Sequence, residues 1–329
     1  MKKILKLKNA FILILVASIT ISCLNDDDNG IPRPEENIVQ LAQANTNLSS
    51  LVAALEAADG DLPTILQGNG PFTVLAPTNE AFATFLDGQE LSDIPTDVLE
   101  QVLLNHVITG EIRSANLISS LSGYASTNAS GPIDQTRISI YFDTDSSEIT
   151  FNGQSDVIQE DITASNGTIH IVDAVIEIPD VVDIVTTNPN FGDLVTALTT
   201  ATPDTDFVTV LRESGLYTVF APTDAAFDTL FAGNSDWDTV DDIDETLLTA
   251  VLGHHVIGGT NILASSITDG LESPATLEGD TLSFNIFGSS IGIVDGAGNT
   301  DANIQVANIQ GSNGVIHVIT RVLIPDTTN

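Results

Sequence analysis

The chain repeats itself. Gly70-Pro-Phe-Thr-Val-Leu-Ala-Pro-Thr-Asn-Glu-Ala-Phe82 returns as Gly215-Leu-Tyr-Thr-Val-Phe-Ala-Pro-Thr-Asp-Ala-Ala-Phe227. Asn105-His-Val-Ile108 returns as His254-His-Val-Ile257, and Asn166-Gly-Thr-Ile-His-Ile-Val172 as Asn313-Gly-Val-Ile-His-Val-Ile319. Both halves close on Ile-Pro-Asp, at Ile178 to Asp180 and at Ile324 to Asp326. The offset stays between 145 and 149 residues, so insertions are small. A repeat of that length must solve one folding problem twice, because each copy is long enough to bury its own core. The expected division is a segment 1–22, a segment 23–35, and two copies at 36–180 and 181–327.

Each copy opens with a helical spacing. Leu48, Leu51, Val52 and Leu55 share one helix face, as do Phe191, Leu194, Val195 and Leu198. The stretch from Thr73 reads as a buried strand that Pro77 stops, with Thr78 as the cap of a helix carrying Phe82 and Phe85 inward. Phe227 and Phe231 do the same in the second copy. A further helix is predicted from about Thr96 to Asn105, and from about Glu245 to His254. Strands follow. Ile138, Ile140 and Phe142 alternate, Ser283 to Phe287 does so more loosely, and the Asn166-Gly167 and Asn313-Gly314 pairs signal hairpins through their tolerance of positive φ. Long apolar strands are predicted beyond them, Thr168 to Ile178 and Val315 to Ile324. Helices first and strands later within one unit define an α+β class.

These three motifs, in this order and twice over, resemble the fasciclin domain family across nearly all of 36–327. The resemblance implies two tandem domains, each a β-rich wedge or sandwich packed with several helices. It implies adhesion or matrix binding at a cell surface, without catalysis or a cofactor. Members often place Tyr before the first motif His, where this chain has Asn105 and His254. In some animal members an Asp-Ile pair just before the Asn-Gly turn is linked to integrin adhesion. Here that position holds Asp161-Ile162, and Asn308-Ile309 in the second copy, so these four are the candidate partner contacts.

The N-terminus reads as an address. Lys2, Lys3, Lys6 and Lys8 precede an uncharged run from Ala10 to Ile21, too short to span a bilayer comfortably but suited to a secretory signal. Cys23, the only cysteine, follows directly and resembles a bacterial lipoprotein cleavage site, which would make it the lipidated first residue of the mature chain. An uncleaved anchor and an unmodified thiol are the alternatives. The stretch Asn25 to Pro34 cannot bury apolar area and reads as a tether. Its acidic run resembles the signal that sends some bacterial lipoproteins to the outer face of the outer membrane. Without the signal segment the chain has five Arg and no Lys against 45 acidic groups. That field repels phosphates and excludes nucleic acid as a partner. The expected partners are surface or matrix proteins or polysaccharides, with the membrane reached only through the lipid. Capture of an envelope glycan or small ligand is the alternative function.

All five histidines lie in the repeated motifs. His106, His170, His255 and His317 occupy matching positions, far apart within each copy and without a cysteine, and read as satisfied core residues rather than metal ligands. The acidic runs from Asp143 to Glu148 and from Asp236 to Glu245 lack the spacing of a calcium loop. No nucleophile elbow, phosphate loop or dinucleotide fingerprint occurs, so neither catalytic nor metal residues are expected.

Overall fold

The structure is a computed structural model, describing residues 34–145, 148–201 and 203–326. The expected signal segment, Cys23 and the expected tether up to Arg33 lie outside them. The first half runs α1 (Ile38–Ala44), α2 (Ser49–Ala57), α3 (Leu62–Leu66), β1 (Phe72–Pro77), α4 (Asn79–Leu86), α5 (Thr96–Asn105), β2 (Val107–Thr109), α6 (Ser114–Ser120), β3 (Ser122–Ser130), β4 (Arg137–Asp145), β5 (Glu148–Phe151), β6 (Ser155–Ala164) and β7 (Gly167–Val172). The second runs α7 (Val181–Thr187), α8 (Gly192–Thr199), α9 (Phe207–Arg212), β8 (Tyr217–Pro222), α10 (Asp224–Gly233), α11 (Glu245–His254), β9 (Val256–Gly258), β10 (Ser283–Phe287), β11 (Ser290–Val294), β12 (Ala302–Gly311) and β13 (Gly314–Ile319).

In both halves the strand of the first motif pairs in parallel with the strand of the last. Val74 faces Ile169 in one, and Val219 faces Ile316 in the other. Strand alternation then splits each core into two layers. Val74, Ala76, Ile169 and Ile171 pack against the helices with Leu48, Leu51, Phe82 and Leu103. Leu75 and Val172 point the other way, into a second cluster with Ile140, Phe142 and Phe151. The second half repeats this, with Val219 and Ala221 on the helical side and Phe220 on the other.

The halves differ in closure. In the first, the strands run β1-β2-β3-β4-β5-β6-β7 and close into a barrel, completed by the contact of Ile108 with Thr127. In the second, the order is β10-β11-β12-β13-β8-β9, and no described strand stands where β3 does. That segment carries Gly270 at positive φ and Pro274, which has no N–H to donate; it follows β10 through the Glu272–Ser283 bridge and the Gly270–Phe284 and Phe284–Leu271 backbone bonds, and touches β9 through Leu277 N–H and Val256 O, without forming a strand.

Two strand expectations change. The apolar runs after the turns are not continuous strands: β7 ends at Val172 and β13 at Ile319, and the chain then leaves the sheet to reach the motif histidines. The turns themselves fall one residue earlier than the Asn-Gly pair suggests. Ala164 pairs with Gly167, so Ser165 and Asn166 form the loop, and neither Asn166 nor Asn313 has positive φ. The asparagine serves through its side chain instead. Asn166 Oδ1 accepts from Ile38 N–H at the start of α1, while its Nδ2 donates to Leu66 O and Gly68 O. Asn313 repeats the clamp on Val181 N–H and Leu211 O. Glycine follows because a Cβ at Gly167 would collide with the Phe72 carbonyl, and one at Gly314 with that of Tyr217.

The junction between halves is part of the fold. Asp180 caps α7 by accepting from Asp183 N–H, and Arg212 bridges Asp180 and Asp183 at 2.7 Å each. Pro179 O accepts from Ser312 N–H. Farther along the seam, Gln310 N–H donates to Ser139 Oγ, and Asn188 Nδ2 donates to Tyr124 Oη. This explains why Tyr141 is buried although it alternates with Ile140 and Phe142: the second half covers the outer face of β4.

The asparagine clamp gives a direct test. Asn166→Ala strands one amide and two carbonyls, a loss of about 2–4 kcal/mol. Urea unfolding of the variant should show that loss, and Asn313→Ala a loss of similar size.

Candidate functional site

Two frames built on histidine recur in each half. His106 ends α5, where its Nδ1 donates to Val102 O at 2.7 Å and its Nε2 accepts from Ile176 N–H at 2.9 Å. His255 makes the same pair with Val251 O and Leu323 N–H. An amide can only donate, so Nε2 keeps its lone pair and Nδ1 carries the proton. Burial lowers both pKa values to about 4, against a smaller opposing pull from the Val102 or Val251 carbonyl. Neither ring has a nitrogen left for a metal or for a substrate.

The second frame is centred on β7 and β13. His170 Nε2 donates to Ile112 O at 2.9 Å, and its Nδ1 faces Asp161 N–H at 3.3 Å. His317 does the same with Ile262 O and Asn308 N–H and stacks on Phe220. Burial lowers the pKa of His317. Asp161 and Asn308 each sit at a bulge in their strand with φ of 56° and 64°, a conformation these two residue types tolerate. The Asp161 carboxylate accepts from both the amide and the hydroxyl of Ser114, at 3.0 and 2.6 Å. Burial works to raise its pKa, but those two bonds, together with the nearby His170 and Arg113, hold the carboxyl below its ordinary value. Asn308 Oδ1 accepts from Ala264 N–H in the same way. Ile162 packs against the helical core and Ile309 is 2% exposed. Both pairs, expected as partner contacts, tie a bulge to the segment after β2 or β9, with Asp161 and Ile162 half-buried, Asn308 exposed and Ile309 buried.

The position before the first motif His differs between halves. Asn105 donates to Ile176 O and Glu177 O. His254 accepts from Gly296 N–H through Nε2, and its Nδ1 lies 3.2 Å from Glu278. His254, Glu278 and Asp280 offer ligand atoms within 4.8 Å of one another. The Gly296 amide fixes the proton on Nδ1, however, so that nitrogen donates to Glu278 and has no lone pair for an ion. The acidic run after Asp236 is likewise spent locally: Asp242 accepts from Asp238 and Thr239 amides, and Asp244 caps α11.

One open feature lies at the seam. A cleft of about 460 Å³ is walled by Ser122, Tyr124 and Tyr141 from the first half and by Asn188, Asn190, Thr223, Asp224 and Gln305 from the second. Sequence reasoning missed it, because its residues come from separate segments spread between Ser122 and Val318. One signal was available: the chain has 13 Phe and only three Tyr, and two of those three are here.

The chain belongs to the fasciclin family: residues 46–179 and 189–325 each match the Fasciclin domain. A Synechocystis protein, sll1483, is 38% identical over 146 residues, covering 42% of this chain and 72% of that protein. The pig transforming growth factor-beta-induced protein ig-h3 is 29% identical over 277 residues, covering 80% of this chain but 36% of its own length. The cell surface glycolipoprotein MPB83 of Mycobacterium bovis is 35% identical over 141 residues, 42% of this chain and 57% of that one. Among solved structures, the FAS1 domain pair of the insect cell adhesion molecule Fasciclin I matches with a TM-score of 0.53 at 18% identity, over 85% of this chain and 98% of that one. The fold is that of a tandem fasciclin pair.

Two measurements check the frames. His106 and His255 stay neutral in the folded chain down to about pH 4 but protonate near 6.5 when unfolded. The unfolded state therefore binds more protons in that window, and stability falls as pH drops through it, by up to about 3 kcal/mol per histidine. Unfolding free energies measured from about pH 7 to pH 4 should show this slope, and His106→Gln should flatten it. Asp161→Asn keeps the Ser114 amide bond, as Asn308 does for Ala264, and gives up one carboxylate–hydroxyl contact; urea unfolding should register about 1 kcal/mol.

Proposed function

We propose that this chain is a non-catalytic adhesion or matrix-binding lipoprotein of the bacterial outer membrane, exposed at the cell surface and held there by a diacylglycerol on Cys23. The observation that carries the reading is the state of the motif histidines. In both halves they hold backbone groups in place, and the fasciclin pair offers a braced binding surface rather than a reaction centre. The names of two relatives support the setting: MPB83 is a cell surface glycolipoprotein, and the insect pair belongs to a cell adhesion molecule. No helix among the described residues is long and apolar enough to cross a membrane. The domains are 36–180 and 181–327, after a signal peptide 1–22 and a tether 23–35.

A second reading, capture of an envelope glycan or small ligand, draws on the seam cleft. Its volume lies in the range of small-ligand sites and its lining mixes aromatic and polar groups.

The attachment half of the proposal is tested by Cys23→Ser. The variant should leave the membrane fraction, stop incorporating labelled fatty acid, and melt at the wild-type temperature. A variant that still sediments with membranes would overturn the lipid anchor. The binding half is tested with cells that display the chain. They should attach to protein- or polysaccharide-coated surfaces more than cells carrying Cys23→Ser, and equal attachment would refute it.

A further inference from the structure

The cleft between the two halves holds polar groups that the fold does not use. Tyr141 is 2% exposed, and its Oη meets no partner in full hydrogen-bonding geometry; burial raises its pKa, and only the nearby Ser122 hydroxyl, which also lines the cleft, pulls against that. A buried hydroxyl left unpaired is costly, so such groups are rare unless something else satisfies them. Thr223 adds a second. Its counterpart in the first half, Thr78, accepts from Ala81 N–H and caps α4, whereas the Thr223 side chain makes no such bond to α10. Gln305 is exposed and makes no side-chain hydrogen bond among the described residues. Three donors and acceptors thus surround one cleft.

The rest of the lining is braced. Tyr124 and Tyr141 meet at 5.2 Å between ring centroids with their planes 54° apart, forming an aromatic corner. Asn188 holds Tyr124 by donating to its Oη, and its Oδ1 accepts from Asn190. Asp224 accepts from Asp193 N–H through one carboxylate oxygen. The walls come from β3 and β4 on one side and from the turn before α8, the start of α10, β12 and β13 on the other, so the site exists only in the tandem arrangement.

We propose that this cleft binds a neutral saccharide, resting on the reading of the chain as a surface binding module. The ring of a sugar has an apolar face that packs on aromatic side chains, and hydroxyls that both donate and accept. Tyrosine, threonine and glutamine side chains offer both roles, and a carboxylate accepts from sugar hydroxyls. A volume of about 460 Å³ suits a short oligosaccharide rather than a large polymer segment. The charge selects against acidic sugars. Asp224 lines the cleft, Asp193 stands close enough to Asp224 and Asp228 to feel both charges, and the chain as a whole carries −36.

The test uses the full-length chain and titration calorimetry with cellobiose, laminaribiose, mannobiose and, as the acidic counterpart, digalacturonate. At least one neutral disaccharide should bind with a Kd of about 1 mM or tighter, and digalacturonate at least about tenfold more weakly. Tyr141→Phe should weaken the neutral sugar by about fivefold or more while the melting temperature holds or rises, because it removes an unpaired buried hydroxyl and keeps the ring. Thr223→Val should weaken it with the fold intact, since the hydroxyl caps nothing. A merely structural Tyr141 would raise stability and leave sugar affinity unchanged, and that result overturns the proposal. So does the absence of binding by every neutral disaccharide, or a preference for digalacturonate. The surface-attachment assay is independent of these arms: attachment without sugar binding removes the cleft and leaves the adhesion reading standing.

Discussion

Each half depends on one pairing, the parallel contact of β1 with β7 and of β8 with β13. Parallel neighbours cannot be joined by a tight turn, so the chain between them must make a long excursion. Here that excursion is most of the domain. The pairing therefore brings the first and last motifs together and closes everything in between. The two motifs are the two sides of one interface, buried from both faces, which is why both read as apolar runs in each copy.

The histidines and asparagines complete that pairing. Where β7 and β13 end, the backbone leaves the sheet and its amides lose their ladder partners. His106 and His255 supply acceptors for Ile176 and Leu323 at that point, and donate in turn to the last turn of a helix. Asn166 and Asn313 do the same for the free amides at the start of α1 and α7. A buried amide without a partner is expensive, and these side chains fill positions that no backbone group reaches. Their chemistry is thereby consumed, which is why residues that look reactive in the sequence serve the fold.

The two copies have diverged where they touch each other. Only the first closes its barrel through β3, and β3 and β4 then present Tyr124, Ser139 and Tyr141 to the second half. The second copy answers with β12 and the turns before α8 and α10. Equivalent residues follow different fates as a result: Thr78 caps its helix and Thr223 borders the seam cleft. Divergence of this kind, around a shared frame, turns two similar domains into one surface with a feature that neither has alone.

Much of the frame was legible in the residues. The repeat showed two copies, helical and alternating spacings located α5, α11, β1 and the inward phenylalanines, and the motif histidines read as core. Those features are local, since period and capping depend on neighbours within a few positions. The sequence did not show that the Asn-Gly pairs act through a side-chain clamp and a close approach to Phe72 or Tyr217, because those partners lie about 95 or more residues away. Nor did it show the bulge at Asp161 or its tie to Ser114, 47 residues away. Nor could it show the cleft. A tyrosine on β4 and a threonine before α10 acquire a common purpose only when two folded halves meet, and that contact is set by the shapes of finished surfaces rather than by any spacing along the chain.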